Sequence, residues 1–307
     1  MELARITAEQ VAILFILICA GYLVAKMGVI EAGAKKAFSN LLVYLIIPAM
    51  ILNSYMTGFN LDILNNLLKE FLYSTILLVV GIVVTLVAFS RNKEANVPII
   101  KFTCSFSNAA YMGFPLIQAL YGSEGLLYAS AFVTMYNILL WTVGYAIVSR
   151  KASLKEIAHS IITTPVIMSV VVGLVIFLCR IPIPHIVKQP ISYIGSMNTS
   201  LSMIVTGILI ASSNMGKIIR NKNIPKILLV RMLIIPALCL GIFKLMGLSG
   251  TVANIAIMLE SCPCAAITSV FAVQFGYDED LAAGAVVIST LISIVTLPVV
   301  AYLVSNI

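Results

Sequence analysis

Two stretches of the sequence place a proline and several polar residues inside long apolar runs. The first, KFTCSFSNAAYMGFPLIQALYG, holds Ser105, Ser107, Asn108, Gly113, Pro115 and Gln118; the second, NIAIMLESCPCAAITSVFAVQFG, holds Glu260, Ser261, Pro263, Thr268 and Ser269. Proline removes a helical hydrogen bond and clashes with the preceding turn, so each run is expected to be an interrupted helix. In lipid, freed backbone groups are tolerated only where protein or a watery cavity satisfies them. Two half-helix N-termini facing one gap make an electropositive site that holds a carboxylate without a buried lysine. Asn108 brings two donors and an acceptor to read such an anion or to bind a cation.

Glu260 is an acidic residue deep inside an apolar run, and an ionised carboxylate there needs a partner or a function. Two functional readings are open. Glu260 carries a coupling proton, or it joins Ser107, Asn108 and Ser261 as hard oxygen ligands for sodium. The structural reading pairs it with Arg231. Weaker polar positions that could line a cavity are Tyr136, Asn137 and Asn198, although hydrogen bonding between helices accounts for them equally well. Nucleophile, zinc and nucleotide motifs such as GxSxG, HExxH and the Walker loop are absent, so no enzyme and no cofactor is expected beyond a coupling sodium ion or proton.

The elements that position these residues must be membrane helices. Of 307 residues, 61% are hydrophobic and 10% charged, with a mean hydropathy of +1.09, which requires a lipid solvent. Apolar runs predict ten spans, near 10–28, 37–56, 70–90, 99–121 and 124–148, then 159–179, 187–212, 224–246, 251–275 and 279–303. This gives an all-α membrane protein with a five-helix half at 1–148, a cytoplasmic linker at 149–158 and a second half at 159–307. The N-terminal run lacks a small-residue cleavage site and is expected to be a retained helix. The six cysteines lie in apolar stretches and are expected to stay unpaired.

The net charge of +7 comes from lysines and arginines scattered over loops, which argues for topology and against a nucleic-acid partner. Most of them fall after the odd-numbered spans. The positive-inside rule then places both termini on the non-cytoplasmic side of the plasma membrane, and an odd number of spans per half makes any internal repeat inverted. A modest sign of such a repeat is the likeness of LYGSEGLLYASA to QFGYDEDLAAGA, where Gly122 and Gly276 each close a helix before an acidic turn.

Further stretches carry a family likeness: GYLVAKMGVI with LLVYLIIPAMILNS, SNAAYMGFPLIQALYGSEGL, PVIMSVVVGLVIF with PIPHIV, RMLIIPALCLGIF, and VVISTLISIVTLPVV. Over nearly its whole length the chain resembles the auxin efflux carrier family, in the form its bacterial members take. The resemblance implies ten helices in two inverted repeats, related to bile acid/sodium symporters, with helices 4 and 9 crossing at their prolines. It implies alternating access, with helices 1, 2, 6 and 7 as scaffold, and an organic anion as substrate, such as a mono- or dicarboxylate. By the same resemblance Asn108, Tyr111, Gly113 and Pro115 fall in the fourth-helix motif and Pro263 matches the ninth-helix proline, while Tyr136, Asn137 and Asn198 join them around the substrate. Three departures stand out: Ser200 replaces a common proline, helix 3 lacks the Asp and Lys of plant auxin carriers, and Glu260 replaces a small residue. The expected function is secondary active transport of small organic anions. The alternatives are a sodium-coupled importer of larger amphipathic anions, an anion channel, or a ligand-sensing membrane protein. The bilayer and a small carboxylate are the expected partners, and a homodimer is left open.

Overall fold

In a computed structural model, residues 2–30, 34–92, 94–149, 164–213, 216, 218 and 221–305 are described. Almost all of them are helical. The elements are α1 (Glu2–Lys26), α2 (Ala34–Leu41), α3 (Ile47–Tyr55), α4 (Leu61–Ala88), α5 (Val97–Ser105), α6 (Phe114–Leu139), α7 (Tyr145–Ser149), α8 (Pro165–Leu178), α9 (His185–Ala211), α10 (Asn223–Leu228), α11 (Ile235–Leu245), α12 (Thr251–Glu260), α13 (Ile267–Phe275) and α14 (Glu279–Val304). The expected linker lies, except for Ser149, outside the described residues, as do Lys93, Arg150, Lys151, Lys155, Lys217 and Arg220 among the loop cations.

Seven runs of described residues are long and apolar enough to cross a membrane, against the ten spans expected. The difference has physical causes. The predicted spans 99–121 and 251–275 are each divided, leaving short pieces such as Thr251–Glu260, and α8 is itself a shorter apolar helix. Conversely, Ala109–Ser149 forms one run of 41 residues, about twice what a bilayer requires. Within it Gly122 adopts φ 62° and ψ −152°, which breaks the helical path where the sequence placed a helix end. Gly276 closes α13 in the left-handed region, φ 69°.

Prolines act here through π-helical turns. The turns Leu42–Ile46, Ala109–Gly113 and Leu229–Ile234 each end two residues before a proline, at Pro48, Pro115 and Pro236. Widening the preceding turn makes room for the ring and absorbs the hydrogen bond that proline cannot donate. These helices therefore continue past their prolines.

Two packing regimes follow. α1 and α9 lie against each other through glycines: a Cβ on Gly21 would stand 2.3 Å from the Ile204 carbonyl oxygen, and one on Gly207 2.1 Å from that of Ile18. Such backbone approach is how helices associate where lipid offers no hydrophobic drive. α3 packs on α8 and α9, extending this layer. The other layer is built around α4, α5, α6, α12 and α14 and encloses buried polar groups.

Candidate functional site

The two interrupted helices meet at their interruptions. α5 ends at Ser105 and the chain runs extended through Phe106 before the π turn begins at Ala109. α12 ends at Glu260 and α13 begins at Ile267. Between them Ser107 and Cys264 form an antiparallel β-bridge: the Asn108 N–H donates to the Pro263 carbonyl at 2.7 Å and the Ala265 N–H to the Phe106 carbonyl at 3.0 Å. Each break thus supplies the partner that the other's backbone needs in a membrane. Pro263 sits in its break as expected. Pro115 does not, because the first break falls at Phe106–Asn108 and Pro115 occupies the second position of α6 beyond the π turn.

Neighbouring elements complete the backbone bonding. The Cys264 N–H donates to Ser289 Oγ of α14 at 3.0 Å. Arg231, wholly buried on its π turn, serves both helix ends that terminate here. Its guanidinium donates to the Cys104 carbonyl at 3.3 Å, to the Cys262 carbonyl through Nε and Nη2 at 3.3 Å, and to the Glu260 carbonyl. It also bonds Glu260 Oε1 at 2.8 Å, with both side chains at 0% exposure. One cation therefore neutralises a carboxylate and caps the negative ends of two half-helices. This is the pairing that the sequence offered as the structural reading of Glu260.

Close approach of the two helices depends on Gly113. A Cβ there would stand 2.6 Å from Leu259 Cδ2 and 3.4 Å from Cys262 Sγ. Glu260 also packs on α4, where a Cβ on Gly81 would come within 2.9 Å of Oε1.

Several buried polar atoms around the crossing lack a hydrogen-bond partner among the described residues: Ser105 Oγ and Ser107 Oγ at the first break, Glu260 Oε2, Thr268 Oγ1 and Ser269 Oγ at the second. Asn108 is 5% exposed. Tyr136 stands edge-on to the Phe106 ring, 5.5 Å between centroids, and so borders the first break. Ser261 is engaged within its own helix, donating to the Ile257 carbonyl at 2.7 Å. Asn137 likewise donates to the Val133 carbonyl of its own helix at 2.7 Å. Tyr111 is on the π turn and lies beside Ser39 of α2. Asn198 is at 0% exposure with both amide atoms unpartnered, on α9, which packs against that π turn.

Sequence reasoning left four contributors out of the site. Ser289 is a small hydroxyl in a hydroxyl-rich apolar helix, with nothing in its spacing to mark it. Ser105, Thr268 and Ser269 were visible as polar residues beside the prolines, and that proximity was the available signal.

The model of the membrane transport protein family matches residues 6–161 and 150–301. An uncharacterized transporter of Methanothermobacter thermautotrophicus is 21% identical over 299 residues, covering 95% of this chain and 96% of that protein. An uncharacterized transporter of Methanocaldococcus jannaschii is 22% identical over 315 residues, covering 98% and 100%. The lysosomal cholesterol signaling protein of Mus musculus is 22% identical over 330 residues, covering 95% of this chain and 37% of that protein. The chain is a multi-pass membrane protein and belongs to the membrane transport protein family, that of the auxin efflux carriers.

Proposed function

We propose that this protein is a secondary active transporter of small organic anions, mono- or dicarboxylates, which it carries by alternating access at the crossing of the two broken helices. The observation that carries the reading is the paired break itself with its unpartnered hydroxyls. Arg231 quenches the carbonyl ends of α5 and α12, while the π turn at Ala109 and helix α13 begin at the same place with their N-terminal donors. With Arg231 and Glu260 cancelling one another, the remaining field is that of helix N-termini, which favours an anion. Asn108, Ser107, Thr268 and Ser269 would read its oxygens, Tyr136 would close one side, and Asn198 on α9 would face the cargo as the layers move.

The proposal includes ten crossings in two inverted halves. Supporting it are the turn at Gly122 inside a run of double length and the equivalent positive-φ glycine at 276. It also includes both termini on the non-cytoplasmic side of the plasma membrane, which rests on loop charge. Coupling to sodium or a proton at Glu260, with Ser107, Asn108 and Ser261 nearby, is supported by the unpartnered Oε2 and Ser107 Oγ. A cation there must compete with the guanidinium 2.8 Å from Oε1. A larger amphipathic anion brought in with sodium is the rival cargo.

The relative named as a cholesterol signaling protein favours a second reading, ligand sensing without transport. Uptake of labelled malate into proteoliposomes, with sodium and pH gradients varied separately, decides among these. Saturable uptake weakened by Asn108→Ala supports the carrier. Non-saturating conductance indicates a channel, and thermal stabilisation by a ligand that is never moved indicates a sensor.

A further inference from the structure

Glu70 lies within α4 at 0% exposure, and neither of its carboxyl oxygens has a hydrogen-bond partner among the described residues. The elements packed against α4 are α5, α6, α11 with the π turn before it, and α12. Their titratable groups, with those of α4 itself, leave it without a counter-charge. Arg231 and Glu260 are bonded to each other at Gly81, about three turns further along the same face. On α6, Glu124 is bonded to Tyr128, and Tyr121 lies beside Asn254. Among the described residues, Lys101 on α5, Lys244 on α11 and the exposed Lys69 of α4 form no ion pair with Glu70; Cys104, Cys239 and the exposed Asp62 bring no positive charge, and Tyr73 stands edge-on to Phe243. A carboxylate held this way has lost water and gained no donor, so the form that fits this packing is the neutral acid.

A hydrogen-bonded chain runs from the surface to within one helical turn of it. The exposed Glu124 accepts a hydrogen bond from the Tyr128 hydroxyl at 2.5 Å, and that hydroxyl accepts from Asn66 Nδ2 at 3.4 Å. Asn66 is one turn from Glu70 on the same face of α4. We propose that Glu70 is a proton-binding site, loaded from the surface by water entering beside Glu124, Tyr128 and Asn66. A proton from water at that surface joins the carboxylate to give the neutral acid, and the same proton returns to water on release; no other bond changes. Loss of the proton leaves an uncompensated charge in the contact of α4 with its neighbours, which disfavours the packed arrangement and favours one that admits water to Glu70. Protonation thereby biases a two-state packing on the helix face that also meets the crossing.

Proton binding stands on the geometry alone, and only its coupling to flux rests on the transport reading. Infrared difference spectra of the purified protein in lipid nanodiscs, between acid and alkaline buffer, test the first. The expected result is a protonated-carboxyl carbonyl band that is absent from E70Q and shifted in E70D. No band in the wild type, or one unchanged in both variants, overturns the site. Hydrogen–deuterium exchange of the band should slow severalfold in Y128F, and an unchanged rate overturns the route. In proteoliposomes, malate flux should rise severalfold under a pH gradient of one polarity, and E70Q should lose that rise while keeping malate–malate exchange. A rise retained in E70Q overturns the coupling. A wild type that moves no carboxylate defeats the transport reading, and the infrared result still decides Glu70.

Discussion

One face of α4 meets two buried glutamates in opposite circumstances. At Gly81 it packs on Glu260, whose carboxylate is bonded to a guanidinium that also caps three carbonyls of two broken helices. About three turns away it carries Glu70, which has neither cation nor donor. The same residue type at the same 0% exposure is therefore a brace in one place and a neutral acid in the other. Burial alone does not determine what a carboxyl does in a membrane. What decides is whether the fold aims a compensating group at it.

That contrast can be broken most forcefully from the Arg231 end. Arg231→Met removes the cation and leaves Glu260 and three carbonyls unsatisfied, so a loss of about 3–5 kcal/mol is expected. Thermal unfolding in detergent measures it, with the double variant Arg231→Met, Glu260→Gln recovering part of the loss. An unshifted unfolding temperature in the single variant would mean that the pair braces nothing. Gly113→Val tests the approach of the two broken helices, since branched carbons would enter the space of Leu259 and Cys262. About 1–3 kcal/mol of destabilisation is expected from overpacking, together with reduced malate uptake. Ser289→Ala is a smaller probe of the same region: it strips the acceptor from the Cys264 N–H and should cost about 1–2 kcal/mol. If it costs nothing, the second break does not depend on α14.

The contrast was half legible in the sequence. Glu260 announced itself because it sits far from any charged loop, and Arg231 was identifiable as its structural partner. The interruptions were legible as well, since prolines and polar residues cluster only where backbone groups have other partners. The location of the first break was not. Proline at 115 is absorbed by a π turn, and the non-helical residues Phe106–Asn108 are fixed by pairing with a strand fragment more than 150 residues away, which no local pattern reveals. Glu70 was missed because hydropathy placed the start of its span at residue 70. α4 begins at Leu61, where Asn60 Oδ1 accepts the Asp62 N–H at 2.7 Å and Asp62 complements the helix dipole. That capping signal, read together with the apolar run, would have put Glu70 well inside the helix. Asn137 shows what a span's polarity leaves open, since its amide N–H is used by its own helix.

The smallest expected effect is the most discriminating. Glutamine has the size of a protonated glutamate and carries no charge, so Glu70→Gln should change stability by less than about 0.5 kcal/mol in acid, where Glu70 is protonated in both states. Glu260→Gln, which leaves a buried guanidinium facing an amide, should cost several times more. Comparing the two across pH sharpens the test. If Glu70 is neutral in the folded protein and ionised when unfolded, it binds one more proton folded than unfolded above the ordinary carboxylate range. Wild-type stability should then fall with rising pH relative to Glu70→Gln. The difference should vanish in acid, where both states of the wild type are protonated. A Glu70→Gln variant as damaged as Glu260→Gln, with no pH dependence in the gap to wild type, would show that Glu70 is ionised and held by donors, and the two glutamates would then be braces of one kind.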